Sequence, residues 1–91
     1  MTLLKLRDTD LHWRELDGEI VALEGEQSKY MAANGAGAVL WRALVYGTTH
    51  EGLVNELVLT YGIERTRAAA DVDRFLDALA EQHLLVADPA R

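Results

Sequence analysis

The sequence contains no cysteine. That excludes disulfides, thiolate nucleophiles and sulfur metal ligands together, and it fits a cytoplasmic domain held by packing alone. Proline occurs once, at Pro89, so a long disordered linker is not expected. No apolar run approaches the roughly 20 residues that a membrane-spanning helix needs. The first ten residues are too few and too charged to form the apolar centre of a signal peptide. The chain reads as soluble, unexported and free of the membrane. Basic residues are also scarce. Nine Lys and Arg stand against 15 Asp and Glu, for a formal charge of −6. A field of that sign repels phosphate and does not concentrate nucleic acid, so a neutral or basic partner is expected.

What is present is ordinary for a small soluble domain. With 91 residues, 49% of them hydrophobic, the chain can bury one modest core and has little room for a deep active site. A single domain over residues 1–91 is expected.

The first third reads as strand. Leu11–Leu16 and residues 19–23 flank Asp17-Gly18, and an Asp-Gly pair between β-prone runs marks a type I′ hairpin. Pairing Leu16 with Glu19 sets Trp13 opposite Ala22 and Arg14 opposite Val21. A looser turn over residues 24–28, containing Gly25, leads to a third strand, Lys29–Ala33. The remainder reads as helix. Asn34 is placed to cap a first helix over residues 35–46, with Val39, Leu40, Ala43 and Leu44 as its apolar stripe. Trp41 lies beside that stripe. Gly47 suits the left-handed stop, and Thr48 with Glu51 has the spacing of a capping box. The second helix carries Leu53, Val54, Leu57, Val58 and Tyr61 on one face and stops at Gly62, with Ile63 placed for the contact that follows such a stop. The third helix, residues 64–82, has Ala68, Val72, Phe75, Leu76 and Leu79 as its stripe, with Phe75 expected in the core. Its N-cap, Glu64, is a poor one. Residues 84–86 form a last short strand or simply pack down. The order predicts an α+β fold of winged helix-turn-helix type, with a three-stranded antiparallel N-terminal sheet followed by three α-helices.

No reaction chemistry assembles from these elements. His12, His50 and His83 fall in three different elements without paired spacing, so no metal site is expected. Asn34-Gly35-Ala36-Gly37 opens a helix after a strand, but the dinucleotide fingerprint fails at Leu40 and no phosphate-loop lysine follows. Ser28 is the only serine and sits in a turn without a glycine elbow. Asp71 and Asp73 share the long helix but point in different directions, which makes no acid–base pair. Arg65 and Arg67 stand where a recognition helix would meet base edges. Glu64, Asp71, Asp73, Asp77 and Glu81 on the same helix oppose phosphate. No catalytic residue, cofactor, metal or nucleic-acid partner is therefore expected.

The third strand remains. Lys29, Tyr30, Met31, Ala32 and Ala33 carry one charge and no proline, so an open edge there would invite an added strand. A cover formed by the third helix or by the N-terminal segment is the competing reading, and the sequence leaves both open.

The stretches Trp13 to Val21, Tyr30 to Asn34, Ala38 to Trp41, Glu51 to Val54 and Tyr61-Gly62 form an ordered set. Ala70 to Val72, Phe75-Leu76 and Leu84-Leu85 complete it. The set resembles the PqqD-like family, also called RiPP recognition elements, over about four-fifths of the chain. Met31 and Ala33 depart from the larger residues that the family often carries on this strand. The resemblance implies a winged-helix domain that binds the leader of a ribosomally made precursor peptide as a strand added to Lys29–Ala33. Asp71, Arg74, Phe75 and Ala78 would line a cleft from the third helix. It is most like the freestanding proteins of lasso-peptide biosynthesis, which hand a precursor to a leader peptidase and a macrolactam-forming cyclase and catalyse nothing themselves. Presentation to a radical-SAM enzyme in pyrroloquinoline quinone synthesis is the alternative within the family. A winged-helix DNA-binding regulator is the alternative outside it.

Overall fold

The computed structural model describes residues 2–89. They form β1 (Thr2–Leu6), β2 (Leu11–Leu16), β3 (Glu19–Glu24), β4 (Lys29–Ala33), α1 (Ala36–Tyr46), α2 (His50–Tyr61), α3 (Arg65–Glu81) and β5 (Leu85–Pro89). β2, β3 and β4 make an antiparallel meander, and β1 pairs antiparallel with β5 in a separate two-stranded sheet. The fold is α+β with winged helix-turn-helix character, as expected.

The hairpin is closed by its turn chemistry. Asp17 and Gly18 both have positive φ, 53° and 81°, which is what a two-residue turn matching the strand twist requires. Leu16 pairs with Glu19, Arg14 with Val21 and Trp13 with Ala22, the expected register. Alternation then gives the meander two faces. Ile20, Ala22 and Glu24 point inward and are buried, while Leu23 on the other face is exposed.

The core lies between the inner face of the meander, the helices and β1. Leu40, Leu44, Leu53, Leu57, Val72 and Leu84 are all but inaccessible. Trp41 is buried too, and meets Trp13 edge-on with ring centroids 6.1 Å apart. Gly62 ends α2 in the left-handed conformation, its N–H donating to the Val58 carbonyl, as the sequence predicts.

Five local expectations need correction. Asn34 does not cap α1 with its side chain. Gly35 takes the N-cap position at φ 53°, and the Asn34 backbone carbonyl accepts from Gly37 N–H at 3.0 Å. Gly47 does have positive φ, but with ψ 133° it lies outside the left-handed helical region. Thr49, not Thr48, caps α2, its hydroxyl accepting from Gly52 N–H at 3.0 Å. Thr48 is drawn instead into backbone pairing with Leu4, which moves the cap one residue on. Tyr61 is 46% exposed because it stands at the open end of α2, and Phe75 packs at the margin of the core, partly buried. β1 is an addition to the elements expected from the sequence, and it buries Leu4 and Leu6.

Arg7, just after β1, joins the two sheets. Its backbone N–H donates to the Leu84 carbonyl at 2.7 Å, and its guanidinium donates to the His83 carbonyl and pairs with Glu24. Glu24 also accepts from Gln27 N–H at 2.6 Å. These hydrogen bonds satisfy a carboxylate on the inner face of the sheet that would otherwise be costly to bury. Among the described residues no helix is long and apolar enough to cross a membrane.

Candidate functional site

β4 is an edge strand of the meander, paired to β3 on one side only. Which of its backbone groups are free follows from the ladder. Gly25 N–H donates to the Asp10 carbonyl at 3.0 Å, which makes that opposed pair a hydrogen-bonded one. In an antiparallel ladder bonded and non-bonded pairs alternate. The bonded pairs are then His12 with Leu23, Arg14 with Val21 and Leu16 with Glu19. The N–H and C=O of Ile20, Ala22 and Glu24 turn the other way, to their partners Ala33, Met31 and Lys29. That leaves the N–H and C=O of Tyr30 and Ala32 directed away from β3, along the open edge.

A cleft of about 290 Å³ runs beside this edge, lined by Glu19, Ala32, Ala33, Asn34, Gly37 and Phe75. Four elements build it. β3 supplies Glu19, β4 supplies the alanines, the first turn of α1 supplies Gly37, and α3 supplies Phe75. The space between them exists because the facing residues are small. A methyl group on Gly37 would lie 3.4 Å from the Ala33 β-carbon and 3.5 Å from Phe75 Cε1. The volume is at the bottom of the range for small-molecule pockets, ~300–1,000 Å³, and suits one side chain. Larger depressions, about 620 and 640 Å³, lie on the outer face of the meander and over the α2–α3 turn. The first is a sheet face whose backbone groups are largely engaged in the ladder, and the second is not beside a strand.

The sequence-predicted residues divide accordingly. Ala32, Ala33 and Phe75 come together in the cleft. Tyr30 is 69% exposed on the outer face, and Met31 is partly buried on the inner one. Lys29 begins the strand and is exposed. On α3, Asp71 is partly buried and forms an ion pair with the largely exposed Arg74, while Ala78 is exposed. None of these last three lines the cleft. Glu19, Asn34 and Gly37 were not singled out for the site. The signal for Gly37 was a glycine inside a helix, where alanine is intrinsically better.

Other chemistry-bearing side chains are dispersed. His50 Nε2 lies 2.7 Å from Asp73 Oδ1 and ties the start of α2 to α3. Arg65, near the start of α3, is bonded to Asn55. Among the described residues no group of three or more His, Asp or Glu is placed to hold a metal ion.

Fold and edge together define a small winged helix-turn-helix domain with a strand open on one side beside a helix-lined cleft. The chain belongs to the PqqD family, the RiPP recognition elements: the family described as coenzyme PQQ synthesis protein D matches residues 19–85, from β3 to the start of β5. Among solved structures it is similar to TbiB1 in complex with the TbiA(beta) leader peptide, at 28% identity and a TM-score of 0.82 over 89% of this chain and 93% of that one. A lasso peptide synthetase B1 complexed with its leader peptide shares the fold, at 24% identity and a TM-score of 0.79 over 91% and 96% of the two chains. No curated protein matches the chain.

Proposed function

We propose that this protein binds the leader of a ribosomally made precursor peptide by β-strand addition along β4, and delivers it to a leader peptidase and a macrolactam-forming cyclase in lasso-peptide biosynthesis. It is a non-catalytic adaptor in this reading. The observation that carries it is the open edge of β4, with Tyr30 and Ala32 offering two donors and two acceptors beside the Phe75 cleft. Main-chain bonds to such an edge supply affinity, and pockets for alternate side chains supply selectivity. The solved structures that resemble this chain hold leader peptides, which supports the same occupant. Lys29, Met31 and Ala33 keep the edge in register by facing β3. Asp71, Arg74 and Ala78 flank the cleft on α3 and would meet the peptide beyond it.

The family description, coenzyme PQQ synthesis, favours a second destination for the bound peptide, a radical-SAM enzyme. Leader binding is common to both. Titration of the chain against a fluorescent leader peptide encoded beside its gene separates binding from its absence. A Kd between about 1 μM and 1 nM is expected, roughly −8 to −12 kcal/mol. No saturable binding at 100 μM would remove the proposal.

A further inference from the structure

The buried pair of Arg7 and Glu24 joins more of the molecule than an inner-face carboxylate needs. Glu24 ends β3, and its two carboxylate oxygens are divided. One accepts from the Arg7 guanidinium, the other from Gln27 N–H at 2.6 Å, inside the turn that leads into β4. Arg7 spreads its donors as widely. Its Nε donates to the Thr9 carbonyl at 2.9 Å, another guanidinium nitrogen donates to the His83 carbonyl at 3.2 Å, and its backbone N–H reaches the Leu84 carbonyl. His83 and Leu84 lie just past the end of α3. One arginine therefore ties the entry of β4 to the exit of α3, two of the elements that wall the cleft.

The lengths of those walls agree. β4 runs from Lys29, the partner of Glu24, to Ala33 in the cleft, about 13 Å at the strand rise. From Phe75 in the cleft to His83 is about 12 Å at the helical rise. Strand and helix thus lie in opposite directions, fastened at one end by Arg7 and Glu24 and bordering the cleft at the other with Ala33 and Phe75.

We propose that Arg7 and Glu24 are positioning residues that hold β4 and α3 at the spacing an added strand requires. This role rests on the strand-addition reading and deepens it. Glu24 is closed to solvent and Arg7 mostly so, and both act through the backbone at Gln27 and His83. An added strand needs ~4.8 Å beside β4, and its side chains need a wall at a fixed distance. Without the brace the exit of α3 stays tied to β5 but no longer to the meander, and the domain samples other spacings. A peptide that fits one spacing alone loses affinity in proportion to the fraction of molecules that hold it. A fall of that fraction to about a tenth raises Kd about tenfold.

The absence of cysteine lets nitroxide labels be placed by substitution alone. Labels at Tyr30→Cys and Glu81→Cys, both exposed positions, report the distance between β4 and α3. Distance distributions are measured on the full chain with no further change, with Glu24→Gln and with Arg7→Lys. Lysine keeps a charge beside Glu24 but cannot also reach the Thr9 and His83 carbonyls. That variant separates the bridge from the charge pair, and it decides the question should Glu24→Gln not fold. Binding is titrated without labels, below each melting temperature, using the tightest peptide selected on the wild-type protein from a displayed random library. Leu57→Val, in the core on α2, is the control for lost stability alone. Both brace variants should broaden or shift the distance distribution and raise Kd about tenfold, whereas Leu57→Val should change neither. An unchanged distribution, or an unchanged Kd, in the folded brace variants overturns the positioning role while peptide binding stands. An equal loss of affinity in Leu57→Val overturns it as well, because general stability then accounts for the effect. If no peptide enriches on the wild-type protein, strand addition fails and the positioning role fails with it.

Discussion

Among the described residues, Glu24 is the one charged side chain buried to the level of the core, 2% exposed on the inner face of β3. The hydrogen bond from Arg7, and next that from Gln27 N–H, hold its carboxyl below the usual carboxylate range. A folded-state pKa lying below the unfolded one means stabilisation that is complete above the unfolded value, about 4.3. It is lost as the pH falls through the folded value, because protonation removes the partner of Arg7. Thermal melts from pH 7 to pH 2.5 on wild type and Glu24→Gln check this. The variant should melt lower at pH 7, and the gap should close as the solution is acidified below the carboxylate range. A gap independent of pH would mean that the ionised pair contributes nothing and that only shape was lost.

A strand carries its information in which side each residue faces, and β4 shows how that decides which backbone groups stay open. Met31 directs its N–H to β3, whereas Ala32 directs its N–H outward. Proline removes that donor and is tolerated only where the donor is not needed for the ladder. Ala32→Pro should therefore stay folded by circular dichroism and bind a leader peptide at least about tenfold more weakly, the loss of one hydrogen bond worth ~0.5–1.5 kcal/mol together with the clash of the ring against the added strand. Met31→Pro should lower the melting temperature, since it breaks the β3–β4 ladder. Unchanged peptide binding by folded Ala32→Pro would place the peptide somewhere other than β4.

At the scale of the molecule, β1 and β5 bring the two ends of the described chain side by side, Thr2 opposite Pro89. Helix α1 packs against both that sheet and the meander, while α2 meets β1 and α3 meets β5. This arrangement leaves β4 free along its outer edge, and the proposed adaptor role would use that edge. A peptide tethered to it is presented to a second protein at a raised local concentration. On the proposed reading, the chain should speed cleavage of a full-length precursor by its partner leader peptidase, mainly through a lower apparent KM, and should do nothing for a leaderless precursor. Precursor cleavage with and without this chain, on both substrates, measures it. Equal rates in all four conditions would end the delivery role, and cleavage by this chain alone would reveal a catalytic site.

The amino-acid sequence by itself determined the features that are written within a few residues. Asp17-Gly18 fixed the hairpin and, through it, the register of Trp13, Arg14 and Leu16, because positive φ at both positions admits one local geometry. Lys29–Ala33 and the stop at Gly62 were legible for the same reason. The ordered motifs made the family legible as well. Tertiary structure decided what depends on residues far apart in the chain. Thr2–Leu6 reads as strand only once β5 returns to pair with it, and Thr48 loses its cap because Leu4 arrives beside it. Phe75 looked like core by helical periodicity. It borders a cleft because Gly37 and Ala33, on two other elements, are too small to cover it. Local pattern specifies which face of an element is apolar, and only the packing of distant elements determines whether that face is filled.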